Sequence, residues 1–153
     1  MPEIRFSTGV VEMPVNGVRT IRLNPADVGF LDTLYGLLAK VDAIDKETAK
    51  KREKGEDLSK VFDYMRASDK RMREAVDAVF GEGFSDDVFN GVRLMAPADG
   101  LSVLENFIFA VFDQMDESIT ENIAKRSERI AKYTAKYEKY KHNGGSTKLD
   151  IVK

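Results

Sequence analysis

From Leu101 to His142 the chain contains neither proline nor glycine. Those two residues are the strongest breakers of a helix interior, so the span predicts helix along its whole length. A straight helix of 42 residues would measure about 63 Å at a rise of 1.5 Å per residue. A compact body built from 153 residues is only about 38 Å across, from a radius of gyration near 15 Å. The helix must therefore bend, break or project. Ser118-Ile119-Thr120-Glu121 has the form of a capping box and marks the place where a break is expected.

The two halves of this span differ in chemistry. Leu104, Phe107, Ile108, Val111, Phe112 and Met115 form a broad apolar face, which predicts burial in a core. Asp99 to Ala124 holds six acids and no base, whereas Lys125 to Lys141 holds seven bases and two acids. Acid first and base last suits the helix dipole. In the second half Ile119, Ile123, Arg126, Ile130, Tyr133, Tyr137 and Tyr140 recur at steps of four and three. That is a coiled-coil-like seam with Arg126 interrupting it. Three readings stay open: the edge of a helix lying along its own domain, a seam for another chain (self or foreign), or a nucleic-acid contact through Arg126, Arg129, Lys132, Lys136 and the tyrosines. Tyrosine, apolar in body and polar at its tip, is common at protein interfaces.

Earlier in the chain the periodicity changes. Residues 4–23 predict a β-hairpin, with Val11, Met13, Ile21 and Leu23 on one face and Glu12 and Arg22 on the other. Val15-Asn16-Gly17 is the turn, with Gly17 at positive φ. Ile4 and Phe6 predict a third short strand. Asn24-Pro25-Ala26-Asp27 predicts a helix start with Asn24 as the cap. Phe30, Leu34, Leu37, Val41 and Ile44, widened by Leu31 and Leu38, give its core stripe. Asp45 to Asp57 balances five bases against five acids, which predicts a solvated helix extension or link, broken near Gly55.

A second helix is expected from Asp57 to Phe80. Leu58, Val61, Phe62, Met65, Met72, Val76, Val79 and Phe80 form its core side, and Arg66, Asp69, Lys70, Arg73 and Asp77 its outer side. Gly81, in a left-handed turn, and Gly83 end that helix. Ser85 is expected to cap a short helix through Phe89 that stops at Asn90-Gly91, with Phe84 and Phe89 as anchors. Glu82, Asp86 and Asp87 lack the regular spacing of a calcium loop, and a phosphate loop would need a strand ahead of its glycines. Pro97-Ala98-Asp99-Gly100 resets the chain, with Asp99 or Ser102 capping the long helix. His142 is expected to be a helix-end cation, and residues 143–153 a flexible tail.

Composition narrows the function classes. A net charge of −2 lacks the basic excess of a dedicated nucleic-acid binder. Without cysteine and with one histidine, a nucleophile–base pair is hard to assemble, and no zinc or P-loop pattern occurs. No catalytic, cofactor or metal residues are therefore expected, and the chain reads as no enzyme. The absence of cysteine fits an intracellular protein. The N-terminus lacks the apolar core of a signal peptide. The longest apolar run, Phe107 to Phe112, is six residues, far short of the roughly 18 that a membrane span needs. The expectation is mainly α (α+β): a single domain over residues 1–142, with the hairpin packed on a helical bundle and a long C-terminal helix.

Two segments carry a resemblance. VNGVRTIRLNPADVGFLDTLYGLLAKV is a strand pair running into a helix. VFDYMRASDKRMREAVDAVFGEGFSDDVFNG is followed by LSVLENFIFAVFDQM. With the joint Phe80-Gly81-Glu82-Gly83 and the stop Phe89-Asn90-Gly91, the arrangement resembles a small family of phage and prophage proteins of low-GC Gram-positive bacteria. The stop departs by one residue from that family's form. The resemblance covers roughly residues 10–115 and leaves out the charged end of the last helix. Such proteins are similar to the tail assembly chaperones of long-tailed phages. The resemblance implies a cytoplasmic protein of the bacterial host cell that binds the tape-measure protein and keeps it soluble until the tail tube polymerises. It offers no catalytic residues to carry over. Self-association through the C-terminal helix is the alternative.

Overall fold

The structure, a computed structural model, describes residues 1–144, with side chains placed through Tyr140. It is mainly helical, with a small N-terminal hairpin packed against the helices and a long C-terminal helix. β1 (Val11–Val15) and β2 (Arg19–Leu23) pair antiparallel, with Met13 opposite Ile21 and Glu12 opposite Arg22. Asn16 joins Gly17 at positive φ, at 50° and 69°. Two successive left-handed residues give a tight turn the hand that strand twist requires, and asparagine tolerates that conformation better than most side chains. The period-two alternation carries Ile21 and Leu23 into the core.

The third strand expected at Ile4 and Phe6 does not form, and both side chains are almost fully exposed. The arm instead bends at Gly9, where φ is 74° and a Cβ would lie 2.6 Å from Nδ2 of Asn24. Only glycine passes there. Asn24 is occupied in holding this arm: its Nδ2 donates to the Thr8 carbonyl at 3.1 Å, and its Oδ1 accepts from the Ala26 N–H at 2.9 Å. The helix cap therefore falls to Asp27, whose Oδ1 accepts from the Gly29 N–H at 3.0 Å.

α1 (Val28–Glu53) buries Leu34, Leu37 and Val41 and continues through the charged segment as solvated helix, ending before Gly55. α2 (Leu58–Phe80) is capped by Asp57 and buries Val61, Met72 and Val76. Leu58, Phe62 and Met65 are exposed, not core as their spacing suggests. The first turns of α2 run beside the charged end of α1, where Lys51 lies 5.0 Å from the Tyr64 ring. That end offers no apolar face to cover them.

The joint after α2 works differently from its sequence signals. Gly81 takes φ 124° and ψ 153°, a region open to glycine alone and not the left-handed turn expected. Ser85 is not the cap. It lies inside α3 (Phe84–Phe89), fully buried, and its N–H donates to Oδ1 of Asp77 at 2.7 Å. Asp69, Arg73 and Asp77 follow one another at steps of four, and the expected outer face of α2 is here a half-buried polar clip. Arg73 pairs with Asp69 at 2.9 Å and Asp86 at 3.1 Å, and Asp69 accepts from the Leu94 N–H at 2.8 Å. From the hairpin, Arg19 pairs with Asp87 at 2.7 Å and donates to the Glu82 carbonyl. Phe84 and Phe89 anchor the joint as expected, meeting Phe107 at 5.5 and 5.8 Å, with Phe80 stacked on Phe84.

β3 (Pro97–Ala98) and β4 (Leu101–Ser102) form a minimal hairpin turning on Asp99 and Gly100, both at positive φ. Asp99 is spent on the turn, so Ser102 caps the last helix. Its Oγ accepts from the Glu105 N–H at 3.1 Å, and Oε1 of Glu105 accepts from the Ser102 N–H at 2.8 Å. α4 (Val103–Gly144) then runs unbroken for 42 residues. The break expected at Ser118-Ile119-Thr120-Glu121 does not occur. A capping box is worth about 1 kcal/mol, whereas interrupting a helix frees backbone groups on both sides of the gap. α4 includes Asn143 and Gly144, two residues past the expected helix end at His142. The side chain of His142 and the rest of the expected tail lie outside the described residues.

Candidate protein-interaction surface

α1 and α4 run antiparallel. Tyr35 meets Phe112 at 5.2 Å between ring centroids, and Asp45 lies within electrostatic reach of Glu105. Continued at the same register, α1 reaches its first residue, Val28, at about the level of Ile119. Leu104, Ile108, Val111 and Met115 are accordingly buried, with Phe107, Phe112 and Ile119 packed at the margin. Beyond Ile119 the cover ends. Every residue from Thr120 to Tyr133 is exposed.

The structure therefore splits the seven-residue seam. Ile119 belongs to the body. Ile123, Ile130, Tyr133 and Tyr140 are exposed by 63 %, 36 %, 50 % and 66 %. Arg126 is exposed and Tyr137 half-buried. The reading of this seam as a helix edge lying along its own domain fails from Ile123 to Tyr133, where α1 does not reach and every residue is exposed. Arg126, Ile130 and Tyr133 share a groove of about 630 Å³ with Asn122, Lys125, Arg129 and Ser7 of the N-terminal arm. No sequence pattern pointed to Ser7, whose approach depends on the bend at Gly9.

Cations crowd this stretch. Lys136 Nζ lies 4.9 Å from the Tyr133 ring centroid and the Arg129 guanidinium 5.9 Å. A hydrogen bond from Arg129, then the charges of Lys136, Arg129 and Lys132, hold the Tyr133 hydroxyl below the usual tyrosine range. Such rings present an apolar face tied to positive charge.

Two further apolar grooves lie on the body. One, of about 770 Å³, opens between the first hairpin, α3 and α4, with Met13, Val15, Phe89, Val103 and Phe107 in its walls and no charged residue lining it. The other, of about 540 Å³, lies between α1, α2 and residues 93–97 and is lined in part by Leu58, Phe62 and Met65. Sequence periodicity placed those three in the core and so missed this surface.

At the joint Asp87 pairs with Arg19 and Asp86 with Arg73. Among the described residues no group of three or more His, Cys, Asp or Glu is placed to hold a metal ion. Among the same residues no helix is long and apolar enough to cross a membrane. The chain matches no family model, no curated protein and no solved structure.

Proposed function

We propose that the protein is a non-enzymatic binding protein that captures a partner helix. The setting is tail assembly of a phage or prophage in the host cytoplasm, and the partner is a tape-measure-like protein. The observation that carries the capture reading is the distal half of α4, which keeps an isoleucine–tyrosine stripe after its own body has ceased to cover it. The phage setting rests on the sequence resemblance alone. Capture works by shielding. A partner helix laid along Ile123, Ile130 and Tyr133 removes apolar surface of both chains from water, at about 25 cal/mol per Å². The stripe so covered is one that would otherwise drive the free partner to aggregate.

The test is co-expression with a tape-measure-like protein encoded beside it, followed by size-exclusion chromatography. Co-elution is expected for the wild type and its loss for Tyr133→Asp/Tyr137→Asp. Separate elution of the wild-type pair overturns the assignment. A homo-oligomer through α4 is the competing occupant, and light scattering reads it directly.

A further inference from the structure

We propose that the occupant of the distal α4 surface is an amphipathic helix whose apolar stripe is flanked by acidic residues, and that a second copy of this chain is excluded. The inference rests on the capture reading and names the chemistry of the partner.

Steps of four and three place Ile123, Ile130 and Tyr137 at one set of seam positions and Ile119, Arg126, Tyr133 and Tyr140 at the other. One flank of the stripe is then Asn122, Arg129 and Lys136, and the opposite flank is Thr120, Ser127 and Thr134. Neither flank carries an acid. Two copies paired in parallel would set Arg126 against Arg126 in the seam. Two copies paired antiparallel would bring the same flank of each helix together and set Arg129 and Lys136 against their equivalents. Both arrangements place like charges face to face, which opposes association.

A partner with glutamate or aspartate beside its stripe reverses that sign. Its acids would meet Arg129 and Lys136, while Lys125 and Arg126 bear on the groove that Ser7 borders. Tyr133, with Arg129 and Lys136 both near its ring, gives the apolar contact at the centre of this basic margin. The protein as a whole carries −2, so the attraction is local to this segment. Glu121, Glu128 and Glu138 interrupt the cations along the helix, and the isoleucines give a nucleic-acid backbone nothing to pair with. Both points favour a peptide helix over RNA or DNA.

The test uses the full chain and two synthetic helices with leucine at the stripe positions, one with glutamate on both flanks and one with lysine. Fluorescence anisotropy at low salt is expected to show the glutamate helix binding about tenfold tighter, the sum of a few exposed ion pairs. The advantage should shrink severalfold near 0.5 M salt, where screening acts within about 4–5 Å. The variant Arg126→Glu/Arg129→Glu/Lys136→Glu, at exposed sites that leave the unfolding midpoint unchanged, should invert the preference. Equal binding of both helices overturns the acidic partner and leaves helix capture standing. Binding of neither overturns both. A dimer by light scattering at the same concentration overturns the exclusion of a second copy. A mobility shift with single-stranded RNA but with neither peptide transfers the surface to nucleic acid and overturns the proposal.

Discussion

Ile108 and Ile130 are the same residue type on the same unbroken helix, yet the first is wholly buried and the second is 36 % exposed. Helicity is local: both stretches lack breakers and keep their backbone bonds. Burial is set elsewhere, by how far α1 reaches along α4. One element therefore has a buried root and an exposed stretch from Thr120 to Tyr133, and the transition near Ile119 leaves no mark in the backbone.

The largest expected effect separates these halves. Ile108→Ala should cost about 2–5 kcal/mol, since it opens a cavity in a packed core. Ile130→Ala should cost less than about 0.5 kcal/mol, as for an exposed site with few neighbours. Urea unfolding of the two variants measures both. A comparable loss at Ile130 would mean that the distal half is already covered in the purified protein, and the contrast between root and surface would collapse.

A finer contrast lies in two copies of one motif. Ser102-Val103-Leu104-Glu105 and Ser118-Ile119-Thr120-Glu121 both have the form of a capping box. Only the first makes the reciprocal bonds. Ser102→Ala should cost about 1 kcal/mol, because it leaves the Glu105 N–H without its acceptor. Ser118→Ala should be neutral or slightly stabilising, since alanine is the better helix interior residue. Thermal unfolding of the pair decides it, and equal losses would show that the helix has a second start at Ser118.

These pairs show what was legible in the sequence. The hairpin, the stripe of α1, the anchors Phe84 and Phe89 and the apolar face from Leu104 to Met115 arise from periodicity, and they form as expected. Capping was less readable, because a cap depends on the side chain's other partners and on the course of the backbone. The Asn24 side chain holds the arm, Asp99 lies at positive φ in the turn, and Ser85 sits inside α3 with its Oγ donating to the Arg73 carbonyl. The clip of Asp69, Arg73 and Asp77 reads as a solvated face until the joint folds back onto it. Of the surface, the seam residues were visible by their spacing. Their exposure, the approach of Ser7 and the uncovering of Leu58, Phe62 and Met65 all depend on where neighbouring helices end, which no local pattern records.

The smallest effect concerns charge at the root of α4. Like charges gather in both halves: cations around Tyr133, and carboxylates where Asp45 of α1 faces Glu105. Desolvation first, then Glu105 and Asp42, raise the Asp45 carboxyl above its ordinary 3.8, with Arg52 opposing. A raised carboxyl means that the native state holds the proton more tightly than the unfolded chain does. Between 3.8 and the raised value stability falls as pH rises, and above that window the full cost of an ionised Asp45 is present. Asp45→Asn removes the charge. It should stabilise the protein at neutral pH by only a few tenths of a kcal/mol, since the side chain is exposed and screened. That gain should disappear as the pH falls below the ordinary carboxylate range, where wild-type Asp45 is itself neutral. Urea midpoints of the two proteins at pH 7 and in acid measure the difference. Destabilisation at pH 7 would mean that the attraction of Arg52 outweighs burial, Glu105 and Asp42 together, and that the acidic root of α4 carries no strain to set against its basic end.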